Sequence, residues 1–199
     1  MYALTKLGGL DAQFKLAPAS RKPYLKELVI SDDAKKSAVL ALFYPNENNE
    51  TVFILTLRAN YKGTHASQIS FPGGKFETSD KNLKNTAIRE TNEEIGINPS
   101  DISIFKQLTD VYIPPSNFLV TPFMGFLSLA PTFKLNHEVE KIISVKLSEL
   151  LSENCLSTTK VTTSYATNMK VPCFILNDTI VWGATAMMLS EIKELLKNI

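Results

Sequence analysis

Two apolar runs, SAVLALFY (residues 37–44) and TVFILTLR (residues 51–58), flank Pro45 and the polar stretch NENNE. Neither run alternates apolar with polar residues, as a strand with one wet face does. Each therefore reads as a strand buried on both faces, and NENNE as the turn that joins them into a hairpin. Such a hairpin is stable only inside a layered fold. A chain of 199 residues is long enough to supply the layers. Further strands are expected over residues 102–111, 119–129 and 139–145. A helix is expected from Ser79 or Asp80 to Ile95, with Gly96 at its C-terminal cap. A second is expected from Gly183 to Leu196, where Met187, Met188, Ile192, Leu195 and Leu196 recur at helical spacing. Residues 23–29 carry a short helical pattern. Strands and helices do not alternate as βαβ units. The pattern predicts an α+β fold, a mixed β-sheet packed between helices, rather than a doubly wound parallel sheet. Residues 37–199 are expected to form one domain, and residues 1–36, which carry no motif, an extension packing on it.

Composition excludes several classes of function. Formal net charge is +1, so nothing in the overall charge calls for nucleic acid or an anionic membrane. The opening segment holds Lys6 and Asp11 and no long apolar core, unlike a secretory signal. The apolar stretch from Phe118 to Phe133 is broken by Pro122 and Pro131 and falls short of the ~20 residues of a membrane span. A soluble, cytoplasmic protein is expected, with Cys155 and Cys173 as buried thiols rather than a disulfide.

The stretch KNTAIRETNEEIGI (residues 84–97) sets Glu90, Glu93 and Glu94 close together on one helix. At ~100° per residue, Glu90 and Glu94 lie ~40° apart and one turn apart along the axis, with Glu93 on the other flank. Ile88, Thr91 and Ile95 fall on a neighbouring face that can pack in a core. Like charges at this spacing destabilise a helix by a few tenths of a kcal/mol, roughly 0.2–0.5. Acids near a helix C-terminus also oppose its dipole. A divalent cation reverses the sign of that cost, because Mg²⁺ takes hard oxygen ligands from a few carboxylates and from substrate phosphates. Just upstream lies Phe71-Pro72-Gly73-Gly74, whose glycines let backbone approach a ligand closely. Arg89 can pair with Glu93 and hold its rotamer.

Residues 74–97, GKFETSDKNLKNTAIRETNEEIGI, resemble the signature box of the Nudix hydrolases, with Arg89, Glu90, Glu93, Glu94, Gly96 and Ile97 matching. Asp80 stands where the family usually has Glu, eight residues rather than seven separate it from Arg89, and Thr91 replaces an apolar residue. The longer spacing and the Asp resemble the coenzyme A pyrophosphatase branch. So do Leu55-Thr56-Leu57-Arg58-Ala59, His65, Gln68 and FPGG ahead of the box. YIPPSNFLVTP (residues 112–122), Glu138-Val139 and WGATA (residues 182–186) extend the likeness towards the C-terminus. Gly63 and Ser67 depart from that branch, where Arg and Gly are usual.

The resemblance implies a Nudix-type α/β/α sandwich and hydrolysis of a diphosphate linked to another group, with Mg²⁺ or Mn²⁺. It implies Glu90 and Glu94 as direct metal ligands with the Gly73 carbonyl, and Glu93, a catalytic residue, as a ligand either directly or through water. Arg89 is expected to position the glutamates. The general base is expected from Glu138, with Glu140 the near rival and His137 an exposed bystander. Arg58, His65, Gln68, Ser116 and Phe118 are the expected substrate contacts. For Arg58 an ion pair with a carboxylate, for His65 a structural hydrogen bond and for Phe118 core packing stay open. Coenzyme A or acyl-CoA is the implied substrate, giving 3′,5′-ADP and 4′-phosphopantetheine. The alternatives are ADP-ribose, NADH or a nucleoside triphosphate as substrate, or a nucleotide sensor without catalysis. A homodimer is possible; nucleic-acid and membrane partners are not expected.

Overall fold

The computed structural model describes residues 8–18, 30–59, 68–162 and 167–197. The chain divides into two compact units, one of residues 30–147 and one of residues 1–29 with 148–199.

The first unit is an eight-stranded mixed sheet with a helix on it. Strand β1 (Lys35–Pro45) is its axis. One edge of β1 runs parallel to β7 (Phe118–Phe126) over residues 35–43. The other edge is shared between two antiparallel neighbours. Strand β2 (Thr51–Arg58) takes residues 43–45 of β1, and β4 (Gly73–Lys75) takes residues 37–39. Strands β3 (Ile69–Ser70) and β8 (Val139–Lys146) extend from β2; β5 (Ser103–Gln107) and β6 (Val111–Ile113) pair with β7.

Both faces of the hairpin are buried, as its unbroken apolar runs require. Ala38, Leu40, Leu42 and Tyr44 with Val52 and Ile54 form the face that receives helix α2 (Leu83–Ile95) through Ala87, Ile88 and Ile95. Phe43, Phe53 and Phe71 form an aromatic row on the other face, with ring centroids 5.8 and 6.5 Å apart. Asn46 makes the hairpin turn. Its side-chain carbonyl accepts from the backbone N–H groups of Asn48 and Glu50 at 3.0 and 2.8 Å.

The second unit holds α1 (Leu10–Phe14), the end of α3 (Leu147–Leu151), β9 (Leu156–Val161), β10 (Met169–Leu176), β11 (Thr179–Trp182) and α4 (Gly183–Leu196). The three strands form an antiparallel meander, and α4 packs on β10, β11 and α1. Cys155 and Cys173 are both buried and free, as expected. Among the described residues no helix is long and apolar enough to cross a membrane.

The α+β class, the hairpin and α4 agree with the sequence reading. Three element boundaries do not. Helix α2 starts at Leu83 rather than at Ser79 or Asp80, because Asn82 caps it by accepting from the Asn85 N–H at 3.0 Å. Asp80 closes a turn instead, accepting from the Glu77 N–H at 3.1 Å. The single strand expected over residues 102–111 is two, β5 and β6. The register on β7 slips within β5, between Ile104 and Lys106, and between the two strands Leu108 donates to the Pro122 carbonyl and Asp110 accepts from the Thr121 hydroxyl at 2.7 Å. The strand expected to reach residue 129 ends at Phe126. Strands β9–β11 were not anticipated. The helical pattern at residues 23–29 lies outside the described residues.

Candidate active site

The shared edge of β1 builds the site. Gly73 and Gly74 lie opposite Val39 and Ala38 where β4 joins the sheet, and α2 crosses beside them. Gly73 has φ +152°, and a Cβ there would meet the Ala38 carbonyl at 2.3 Å. A Cβ on Gly74 would meet the Glu90 carboxylate at 2.5 Å. Both positions thus require glycine, one for its conformation and one so that a helix carboxylate can lie against backbone.

Glu94 is 3% exposed. Its carboxylate accepts from the Gly73 N–H at 3.1 Å and from Arg58 Nη1 at 3.4 Å. Burial pushes its pKa up to about 7, against the opposing pull of Arg58 and of the Gly73 N–H. Glu90 is raised as well. Burial is again the main cause and outweighs the Arg89 guanidinium beside it. Glu93 sits on the outer flank, its side chain 52% exposed.

Arg89 ties Glu90 and Glu93 to Asp80. Nε and Nη2 grip the two oxygens of Asp80 at 3.0 Å each, a bidentate fork. Nη1 donates to Glu90 at 2.9 Å and to Glu93 at 3.0 Å, and Nη2 also donates to the Lys75 carbonyl at 3.0 Å. The fork holds the Asp80 carboxyl down at about 2. Thr86, fully buried, donates its hydroxyl to the same Asp80 at 2.9 Å. Asp in place of Glu therefore still reaches Arg89, because the turn before Asn82 brings Asp80 back under the helix.

Glu138 enters from the start of β8. Its carboxylate meets Arg58 Nη2 at 3.2 Å, while its side chain is 41% exposed. Glu140 and His137 are exposed. The loop carrying Glu138 is fixed to the end of α2: Lys134 N–H donates to the Ile95 carbonyl and Asn136 N–H to the Glu94 carbonyl, both at 3.0 Å. These bonds satisfy carbonyls that a helix end leaves open. Asn136 then accepts from the Glu138 N–H at 2.9 Å. The likeness at Glu138-Val139 pointed to the acid but not to these bonds to the end of α2.

The structure thus brings Arg58, Gly73, Arg89, Glu90, Glu93, Glu94 and Glu138 into one network. Gln68 joins by its backbone, accepting from the Arg58 N–H at 3.1 Å. Ser116 and Phe118 sit elsewhere along β1. Phe118 pairs with Lys35, four residues from the Val39–Gly73 pair, which is ~13 Å of strand. Lys35 Nζ stands 5.7 Å over the Phe118 ring. His65 lies outside the described residues.

Among the described residues, no three His, Cys, Asp or Glu side chains form a ready cage for a metal ion; the two arginines stand between the acids. The donor chemistry nevertheless fits a hard divalent cation. Two oxygen donors, Glu90 and Glu94, are partly or fully withdrawn from water, and burial opposes their charge. They lie against glycine backbone whose missing side chains leave room beside them.

The model of the NUDIX domain matches residues 34–158. The chain belongs to the Nudix family. It is an enzyme of that family, a pyrophosphatase-type hydrolase. Enzymes of the family generally need divalent metal ions. Nudix hydrolase 3 of Caenorhabditis elegans is 27% identical over 195 residues, covering 90% of this chain and 80% of its own. NudL of Photorhabdus laumondii, an uncharacterized Nudix hydrolase, is 30% identical over 166 residues, covering 83% and 87%. The crystal structure of a MutT/nudix family protein from Enterococcus faecalis superposes with a TM-score of 0.50 at 14% identity, over 92% of this chain and 70% of that one. That likeness concerns the fold.

Proposed function

We propose that this Nudix hydrolase cleaves the diphosphate of coenzyme A or acyl-CoA, with Mg²⁺ or Mn²⁺, to 3′,5′-ADP and 4′-phosphopantetheine. The observation that carries the metal-dependent chemistry is the buried Glu94 beside Glu90, both packed against Gly73-Gly74. Coenzyme A is supported by the segments around the box, Leu55 to Ala59, Gln68, FPGG, YIPPSNFLVTP and WGATA.

Glu90, Glu94 and the Gly73 carbonyl would hold the cation. Bound there, it would offset the negative charge of the diphosphate and make water a better nucleophile. Arg89 orients Glu90 and Glu93 by pinning them to Asp80. Glu138 stands at the exposed side of the network, where a carboxylate can accept a proton from water. Arg58 presents a guanidinium whose planar fork suits a phosphate. Ser116 and Phe118 would line the far part of a long substrate, ~13 Å down the strand.

The test is a mass-spectrometric product assay with coenzyme A, ADP-ribose and NADH in parallel, each with Mg²⁺, Mn²⁺ or EDTA. Metal-dependent 3′,5′-ADP plus phosphopantetheine supports the proposal. Cleavage of ADP-ribose or NADH alone keeps the metal site and overturns the substrate. Absence of turnover with all three overturns coenzyme A, ADP-ribose and NADH together and turns the search to the nucleoside triphosphates.

A further inference from the structure

We propose that Lys35 and Lys75 form a subsite for a phosphomonoester carried beside the diphosphate, the 3′-phosphate on the ribose of coenzyme A. The inference deepens the coenzyme A reading above and rests on it.

The sheet brings the two lysines together. Strand β4 pairs with β1 alone among the described strands, and Lys75 lies opposite Ser37. Lys35 is two residues back along β1, so its side chain leaves the same face as those of Ser37 and Lys75. Such diagonal neighbours stand about 7–8 Å apart. Both lysines are exposed, and at this distance their charges repel. Elsewhere lysines meet acids: Lys146 is 2.9 Å from Glu50 and Lys197 2.8 Å from Glu153. Among the described residues no acid is ion-paired to Lys35 or Lys75. The acids nearest in sequence turn to other donors. Glu77 accepts from the Ser79 hydroxyl at 3.5 Å, and Asp33 from Ser31 and Asn117. Ser31 and Asn117 hold the Asp33 carboxyl below its usual range, and Lys35 adds the smallest share.

Their position follows from the glycine turn. Lys75 comes directly after Gly73-Gly74, and its carbonyl accepts from Arg89 Nη2 at 3.0 Å, so its backbone is pinned to the acid network. The Ser37–Lys75 pair lies two residues, ~7 Å of strand, from the Val39–Gly73 pair. A ribose bridges a gap of that order. Lys35 is two residues further, and its ammonium stands 5.7 Å over the Phe118 ring, within cation–π range. That contact restrains a long side chain and reduces the entropy lost when it meets a ligand. A phosphomonoester carries a charge of about −1.5 to −2 at pH 7 and three terminal oxygens, enough to accept from two ammonium groups at once. It turns their repulsion into attraction, as a divalent cation does for the acids of α2. ADP-ribose and NADH lack this group and would leave the two ammonium groups facing each other.

The experiment compares coenzyme A with 3′-dephospho-coenzyme A at saturating Mg²⁺, for the full chain as wild type, Lys35→Ala, Lys75→Ala and Lys36→Ala. Lys36 sits on the same strand with its side chain on the opposite face, so its loss removes an equal charge outside the subsite. The subsite predicts a wild-type kcat/KM ratio of about tenfold in favour of coenzyme A, carried by KM. Lys35→Ala and Lys75→Ala each lower that ratio about two- to fivefold, the size of an exposed charge pair, and Lys36→Ala keeps it. Added salt shrinks the wild-type ratio towards one. A wild-type ratio of one overturns the subsite and leaves the coenzyme A reading standing. An equal fall in all three variants is a general charge effect and does the same. Cleavage of neither compound overturns the coenzyme A reading, and calorimetric binding of 3′,5′-ADP against 5′-AMP then decides the subsite alone. Tighter binding of 3′,5′-ADP, with the difference lost in Lys35→Ala and Lys75→Ala, supports it; equal binding of the two by wild type overturns it.

Discussion

Two glutamates of this molecule are equally hidden and differently used. Glu94 on α2 and Glu191 on α4 are each 3% exposed. Glu191 accepts from the Gly9 N–H at 3.0 Å and from the Gln13 amide at 2.8 Å, two donors of the segment it pins against α4. Glu94 has one such donor, the Gly73 N–H, and otherwise faces Arg58 at 3.4 Å and the neighbouring charge of Glu90. A buried carboxylate that ties one segment to its helix by short hydrogen bonds is part of the architecture. One crowded by other acids and packed against glycine backbone is a place for a bound cation.

Glutamine at the two positions tests this contrast most severely. Glu94→Gln should lower metal-dependent turnover by about 10²–10³-fold, whereas Glu191→Gln should leave kcat within about twofold of wild type, a margin below ~0.5 kcal/mol. Steady-state rates on purified variants decide it, and equal losses at both positions would break the comparison.

Acid–base behaviour is the next largest effect. A carboxyl whose pKa rises from 4.5 unfolded to about 7 folded binds its proton more tightly in the native state. Its neutral form favours folding below pH 4.5, and that stabilisation is lost as pH rises through about 7, by ~3 kcal/mol in all. In EDTA, urea denaturation of Glu94→Gln should therefore lack a fall in stability between pH 4.5 and 8 that the wild type shows. A cation should abolish that fall in the wild type.

Asp80→Asn loses one charged half of the fork on Arg89. The metal concentration needed for half-maximal activity should rise about 10–100-fold, as for other groups that orient ligands. The smallest change is in stability alone. Glu191→Ala removes the carboxylate that the Gly9 N–H and the Gln13 amide donate to, at a cost of about 1–3 kcal/mol in chemical denaturation with unchanged metal affinity.

Where one local rule dominates, the sequence is transparent. The hairpin, the C-terminal half of α2 and α4 declare themselves through apolar runs, helical spacing and Gly96, and the acids of α2 stand on that frame. Where two rules compete, it is opaque. Ser79, Asp80 and Asn82 are all plausible caps, and only the demand of Arg89 for a carboxylate assigns Asp80 to the turn. Residues 102–111 read as one strand because nothing local shows that their partner, β7, presents Pro122. Strands β9–β11 escape notice because β9 is polar and half-exposed and β10 carries Pro172. Arg58 was legible as a cation near the site, but the two acids it meets come from 36 and 80 residues away. No periodicity encodes such a meeting.

The stitch between the end of α2 and the loop of residues 134–138 has a consequence for how this enzyme can vary. Two backbone hydrogen bonds, Lys134 to Ile95 and Asn136 to Glu94, set the spacing of Glu138 from the helix. All of the chain between, residues 96–133, is spliced out of that relationship. Turns there can lengthen or be exchanged between relatives without retuning the acids, provided β5–β7 still pair. A single residue inserted between 134 and 138 would shift Glu138 at once, so length should be free on one side of the stitch and fixed on the other.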